Sequence, residues 1–218
     1  MKKTTLLILL LLCGCVQPFT VVKYVPLNDI TPPMAQENFS NNFAQKFTLL
    51  NSIVFKYSFF KVAALGYTQV DALNEKFNVT GFNPAGLKLF DIHGQGKNIC
   101  GNFVFKQMAR GGDVVKAIGQ DIERIYFNCL PQTNATAKQQ RYKIIFNEPF
   151  ENGVLEHVFA GEQANLIEKS YYENKRLQWR IFYYNYRKYN EKLYPMAVMF
   201  KNYKYHYKLI VRTKEIYY

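Results

Sequence analysis

The stretch that decides the fold is residues 177–183, Leu-Gln-Trp-Arg-Ile-Phe-Tyr, in the last quarter of a 218-residue chain. Its apolar residues occupy every second position, with Gln178 and Arg180 between them. Successive side chains of a β-strand point to opposite faces, so this spacing predicts a strand with one buried and one exposed face. Residues 205–213, Tyr-His-Tyr-Lys-Leu-Ile-Val-Arg-Thr, repeat the pattern. Such alternation is typical of an antiparallel sheet with one apolar side.

The same alternation recurs over most of the chain. Asn152-Gly153 between two apolar runs is a strong hairpin signal, and Asn83-Pro84-Ala85-Gly86 predicts another turn. The spacing indicates about five strands before residue 113 and about six after it. The runs that carry the pattern are 47–57, 77–79, 87–92, 99–105, 142–146, 154–159, 166–172, 177–184, 196–200 and 205–213.

One segment has helical spacing instead. Asp113 is a suitable N-cap, and the apolar residues that follow form one stripe, with Asp121 off it. They are Val114, Val115, Ile118, Ile122, Ile125 and Tyr126. A single helix over 113–127 is too narrow to cover a long sheet. We therefore expect a mainly β fold, an antiparallel sheet of about 11 strands curved into an unclosed half-barrel. The helix would plug its concave face and leave an apolar cavity.

The N-terminus predicts a secreted, lipid-anchored protein. A basic start, Met1-Lys2-Lys3, precedes seven aliphatic residues and the junction Leu12-Cys13-Gly14-Cys15. This apolar run is too short to span a bilayer but fits a signal peptide over 1–14. The junction resembles a bacterial lipobox, which implies cleavage before Cys15 and acylation of its thiol. Val16 in place of an aspartate implies sorting to the outer membrane, on its periplasmic face.

Residues 15–43 contain half of the eight prolines, and we interpret them as a lipidated cysteine and a tether to a folded domain over 44–218. Cys100 and Cys129 are the two cysteines left in that domain. They either pair, which an oxidising periplasm permits, or remain two buried free thiols. No histidine lies at ligand spacing from either, so neither a metal site nor a cofactor is predicted.

The chain is strongly basic, with a formal net charge of +12. Its basic residues alternate with Tyr and Phe and form no arginine-rich helix, which argues against nucleic acid as a partner. A basic surface suits phospholipid headgroups, although a merely solvated surface explains it as well. The twelve tyrosines of residues 171–218 suit an interfacial aromatic belt, a glycan-stacking platform, or simply half-buried strands.

Several motifs within residues 44–218 resemble the outer-membrane lipoprotein receptor LolB and the related LolA-like half-barrels. The best local match is residues 76–90, Lys-Phe-Asn-Val-Thr-Gly-Phe-Asn-Pro-Ala-Gly-Leu-Lys-Leu-Phe. Residues 172–175 and 179–183, with Tyr186 and Pro195, are a second match, and the last strand pair is a third. An uncharacterised lipoprotein family of the same superfamily is the nearest fit, because Ala85 stands where LolB has a protruding turn leucine.

The resemblance implies an acyl-binding cavity and a membrane-proximal turn of Phe82, Pro84, Ala85 and Leu87. The expected partners are acyl chains of lipids or lipoproteins, outer-membrane phospholipid through the anchor, and a periplasmic carrier protein. Transfer of this kind needs no catalytic group, because differences in apolar burial drive it. The side chains predicted to line the cavity are Phe47, Leu49, Phe77, Val79, Val115, Ile118, Ile122, Trp179, Ile181, Leu209 and Val211.

Two other function classes stay open. A structural or assembly lipoprotein would dock an envelope partner through its sheet, and an exposed apolar patch beside a filled core would favour it. An envelope enzyme would need clustered polar groups in a pocket. Residues 94–98, Gly-Gln-Gly-Lys-Asn, lack the spacing of a phosphate-binding loop, and the three histidines lie far apart in sequence. We therefore expect a protein that is not an enzyme.

Overall fold

The computed structural model describes residues 19–20, 22–106, 108 and 113–217. The predicted signal peptide over 1–14 and the acylated Cys15 lie outside the described residues. Within the part of the chain that the structure describes, no helix is both long enough and apolar enough to cross a membrane.

Twelve strands and two α-helices make up the described fold. A short 3₁₀ helix, Ala72–Asn74, joins the second and third strands. The helices are α1 (Pro32–Asn42) and α2 (Val114–Tyr126). The strands are β1 (Lys46–Tyr57), β2 (Phe60–Asp71), β3 (Lys76–Phe82), β4 (Lys88–Gln95), β5 (Asn98–Val104), β6 (Thr136–Gln140), β7 (Lys143–Phe150), β8 (Gly153–Ala160), β9 (Asn165–Glu173), β10 (Arg176–Tyr189), β11 (Lys192–Asn202) and β12 (Tyr207–Tyr217).

All twelve strands belong to one antiparallel sheet with the order β5-β4-β3-β2-β1-β12-β11-β10-β9-β8-β7-β6. Its edge strands, β5 and β6, do not pair with each other, so the sheet is unclosed. The predicted fold class is confirmed, with twelve strands instead of about eleven. The sequence pattern missed β6 because all of its residues are exposed, which leaves no apolar alternation to detect. It missed β2 because the apolar residues of that strand's first half are largely exposed on both faces.

The concave face of the sheet carries the core and α2. Asp113 caps this helix, because its carboxylate accepts a hydrogen bond of 3.0 Å from the Lys116 amide. Gly119 brings the helix close to the sheet, since a Cβ there would lie 2.5 Å from the side chain of Ile99. The helix predicted over 113–127 therefore forms as expected, packed against β4 and β5.

Residues 27–43 are part of the folded body, which corrects the tether prediction for that part of 15–43. Leu27, Ala35, Phe39 and Phe43 are buried in the main core. Pro32 and Pro33 start α1 rather than preventing it, because proline at the first helical position costs no hydrogen bond. Ala35 and Phe39 then lie four residues apart on one face of the helix, and Phe43 follows as its C-cap.

Candidate functional site

The eleven residues predicted to line a cavity are brought together in one apolar cluster. Eight of them are buried, and Val115, Ile118 and Leu209 are half-buried at its margin. Most of the set therefore packs as core of the sheet and helix. The half-buried members still expose part of their apolar surface, and the cavity itself stays a prediction.

The half-buried residues of the concave face gather toward one end of the sheet, which we call the open end. It consists of Phe55, Ala64, Val115, Ile118, Tyr207 and Leu209. Strand register places Phe55 opposite Leu209, and the rings of Phe55 and Tyr207 lie 5.3 Å apart. Ile118 precedes Asp121 by one helical turn, and Asp121 contacts Tyr207, so Ile118 lies on the helix side that faces the open end.

A buried carboxylate fastens α2 beside the open end. The Tyr207 hydroxyl donates to Asp121 at 2.6–2.7 Å, and Arg124 Nη1 lies 3.1 Å from Asp121 Oδ1. Burial raises the pKa of Asp121 to about 6, while the Tyr207 hydroxyl and the Arg124 charge oppose the rise. The helical pattern placed Asp121 off the apolar stripe, and only its partner on β12, 86 residues away, explains its burial.

A second polar group holds the end of α2. Lys169 Nζ donates 2.6 Å to the Phe127 carbonyl, and the His157 ring nitrogen Nε2 lies 2.9 Å from the Asn128 carbonyl. Tyr183 donates 2.7 Å to the Ile125 carbonyl. A cation suits the negative end of a helix dipole and its unpaired carbonyls. The C-terminal end of α2 is therefore fixed in the core, whereas Val115 and Ile118 at its other end are only half-buried.

The buried side chains of Asp121 and His157 give the folding stability opposite dependences on pH. A raised pKa at Asp121 gives stability that is present below pH 4 and lost as the pH rises through about 6. Burial lowers the pKa of His157 to about 4, which gives stability that is present above pH 6.5 and lost as the pH falls through 4. In the wild-type protein the two contributions oppose each other between pH 4 and 6.

We expect single variants to reveal each contribution. Relative to the wild type, Asp121→Asn should gain unfolding free energy as the pH rises from 4 to 6, by up to about 3 kcal/mol. His157→Gln should gain it as the pH falls over 6.5 to 4. Urea unfolding at several pH values measures both, and each variant is the control for the other. Parallel curves for the wild type and both variants would show that neither group is buried as described.

The two cysteines do not pair. Cys100 is exposed, and Cys129 is buried against the Ile125 and Tyr126 carbonyls at 3.5 Å. Ile99 and Gly101 face α2 on the concave side, so Cys100 between them points to the convex face, away from Cys129. The structure therefore contains two free thiols: of the two open alternatives, the disulfide between Cys100 and Cys129 does not form, and only Cys129 is a buried thiol. Among the described residues, no three His, Cys, Asp or Glu side chains are placed to hold a metal ion.

The predicted membrane-proximal turn is exposed, between β3 and β4. Asn83 Oδ1 accepts hydrogen bonds from the Ala85 and Leu87 amides at 3.0 and 2.9 Å, which fixes the turn. Leu87 is about half exposed, whereas Phe82 is half-buried. Membrane contact through this turn stays a prediction.

A depression of about 620 Å³ lies at the other end of β1–β3, away from the open end. Phe47 and Phe77 line it, together with the ion pair of Lys46 and Asp71 at 3.4 Å and with Lys76. Three charged side chains make this depression a poor site for an acyl chain, because desolvating them is costly.

Comparisons with solved structures identify the fold. No family model matches the sequence, and no curated protein matches it significantly. A LolA superfamily protein from Nitrosomonas europaea superposes with a TM-score of 0.51 and 11% identity, over 86% of this chain and 93% of its own. A proposed outer membrane lipoprotein-sorting protein domain from Vibrio parahaemolyticus gives 0.51 and 12%, over 84% and 89%. The unclosed twelve-stranded sheet with a helix on its concave face is therefore a LolA-like half-barrel fold.

Proposed function

We propose that the protein is an outer-membrane lipoprotein on the periplasmic face whose concave side binds acyl chains or a lipid-like ligand. Its role would be the trafficking of lipids or lipoproteins to that membrane. The observation that carries the proposal is the open end, where apolar side chains of α2, β1, β2 and β12 are left half-buried. The LolA-like fold supports it, since one of the solved structures of this fold is described as a lipoprotein-sorting domain.

The energetics suit an acyl chain. Each methylene that leaves water contributes about 0.8 kcal/mol, so a long chain needs only apolar walls to be held. Ile118 and Val115 on the helix and Leu209 and Phe55 on the sheet supply such walls. Because α2 is fixed at its C-terminal end by Lys169, its opposite end is the part that would yield to an entering chain.

The anchor part of the proposal rests on Cys15. Acyl chains on this thiol would hold the protein to outer-membrane phospholipid, and a periplasmic carrier would exchange ligand with the open end. The protein would act without catalysis. Within the described part of the chain, Asp121 is bonded to Tyr207 and Arg124, whereas His157 and Lys169 share the Asn128 carbonyl and Lys169 also contacts the Cys129 thiol. These buried groups hold the C-terminal end and one side of α2, and none of them lines the depression at β1–β3.

A structural or assembly lipoprotein is the second candidate. It is favoured by the exposed aromatic residues of the β1–β2 hairpin, which lie outside the concave face's core. This reading predicts a stable protein partner and no bound acyl species.

The proposal is tested by native mass spectrometry of the membrane-extracted protein and two neighbouring variants. The wild type should carry a non-covalent acyl species in addition to its anchor. Ile118→Glu puts a charge at the open end and should remove that species, because a carboxylate there disfavours an apolar ligand. Ala117→Glu adds the same charge at an exposed position of α2 and should keep it. A wild type without bound acyl species, or equal loading of both variants, would contradict the proposal.

A further inference from the structure

The β1–β2 hairpin ends in the two most exposed aromatic residues of the described chain, Phe59 at 100% and Phe60 at 74%. Tyr57, at the end of β1, is 48% exposed. Leu65 pairs with Phe82, the last residue of β3, so β2 extends five residues beyond β3 on that side of the hairpin. The β11–β12 turn at the same end adds exposed Tyr203 and Tyr205. Large apolar groups left in water at a projecting tip indicate a binding surface.

A row of lysines crosses the convex face beside this tip. Lys61 is opposite Lys56, Lys56 is opposite Lys208, and Lys208 is opposite Lys201 on four adjacent strands. Within the described residues, no carboxylate forms an ion pair with any of the four. Burial and then the charges of Lys201 and Lys56 lower the pKa of Lys208. Like charges directly opposite destabilise a sheet, so an external anion would relieve this row.

The N-terminal chain leads to the same face. Phe19 packs on the convex side against Ala197 and Met199, and its ring stacks on Tyr184 at 4.5 Å. Met199 lies two residues along β11 from Lys201, a distance of about 7 Å. Cys15 precedes Phe19 by four residues, which reach at most about 14 Å when fully extended. A lipid on Cys15 would therefore keep the lysine row close to the bilayer.

We propose that the hairpin tip and the lysine row form a second membrane contact, which binds the surface of a bilayer containing anionic phospholipid. The aromatic side chains of the tip enter the interface and the four ammonium groups meet headgroup phosphates. The open end of the concave face lies at the same end of the sheet as the hairpin tip. This membrane contact therefore turns the open end toward the bilayer. The part of the inference that uses a lipid on Cys15 rests on the proposed function. The binding of the hairpin tip and the lysine row to a bilayer does not depend on it.

A bilayer suits the hairpin tip and the lysine row better than an acidic protein does. The four lysines are compact, strongly hydrated charges in a line, without an arginine fork for bidentate pairing with a fixed carboxylate. The tip presents rings with no surrounding pocket, as insertion into an interface requires.

The test is vesicle cosedimentation of the chain from residue 16 onward, which keeps every described residue and lacks the lipid. Vesicles are pure phosphatidylcholine or phosphatidylcholine with phosphatidylglycerol. We expect binding to the anionic vesicles that weakens with salt. Lys56→Gln with Lys61→Gln should lower the partition coefficient about 30-fold. Phe59→Ser, at a fully exposed position that cannot disturb the core, should lower it about tenfold or more.

Matched controls lie at the opposite end of the sheet or on its edge. Lys97→Gln with Lys138→Gln removes the same charge from exposed positions, and Leu73→Ser removes an exposed apolar side chain. Both should keep near wild-type binding. Equal losses in the two lysine pairs would indicate only a diffuse basic surface and would overturn the proposal. So would binding that ignores Phe59, or the absence of binding to anionic vesicles. Since no ligand in the concave face is needed, this result is independent of the acyl-binding test.

Discussion

Phe39→Ala should lower the free energy of unfolding by about 3–5 kcal/mol, which for a chain of this length is a fall of about 6–20 °C in Tm. Phe39 is 1% exposed and lies on α1, in the segment that the sequence pattern assigned to a tether. Its ring stacks on Phe43 at 4.8 Å and meets Phe159 and Tyr186 edge-on at 5.4 and 5.9 Å. Removing the ring leaves a cavity between α1 and the sheet that these neighbours cannot fill.

Met34→Ala is the control on the same helix. Met34 is 45% exposed, so its truncation should change the unfolding free energy by no more than about 0.5 kcal/mol. Thermal and urea unfolding followed by circular dichroism measure both variants. If Phe39→Ala unfolds at the same temperature as the wild type, α1 is not part of the cooperative fold and the segment is a tether after all.

The regular part of the fold is predictable from local pattern. Trp179, Ile181 and Tyr183 occupy every second position because a strand's period is two, and the structure buries all three on the concave face. Asp113 indicates the start of α2 because a capping carboxylate bonds to backbone amides within one turn of its own position. Such signals depend only on near neighbours in sequence.

The parts that were missed depend on distant partners. Phe39 is buried by strands more than a hundred residues away, and prolines beside it suggested an extended segment. Lys169 looks like a surface lysine within β9, since its role comes from the Phe127 carbonyl, 42 residues earlier. Phe59 lies after the apolar run 47–57, outside every strand that the sequence predicts, and its exposure at the hairpin tip follows from the length of β2 beyond β3.

The sequence predicts which residues belong to the candidate site but not how deeply each of them is buried. Every residue assigned to the cavity wall lies in one apolar cluster, because strand parity and the helical stripe fix which face each side chain takes. Which of these side chains are fully buried and which stay half-buried depends on where α2 crosses the sheet. That crossing is set by the approach at Gly119 and by the bond between Asp121 and Tyr207.

Strand parity also allows a sharp test of where a ligand lies. Leu209 and Ile210 are adjacent on β12 but point to opposite faces: Leu209 packs against the main core, and Ile210 packs with Phe19 on the convex side. A ligand inside the half-barrel touches the first and not the second, and a chain adsorbed on the outside does the reverse.

The measurement that tests the central claim most directly is photolabelling with a fatty acid that carries a diazirine in its chain. The chain from residue 16 onward is labelled at equimolar probe, and the modified residues are located by fragmentation mass spectrometry. Our account predicts labelling at Ile118 and Leu209, suppressed by excess unlabelled fatty acid, with Ile210 unmodified. Labelling confined to Ile210 and Phe59, or no saturable labelling, would contradict it.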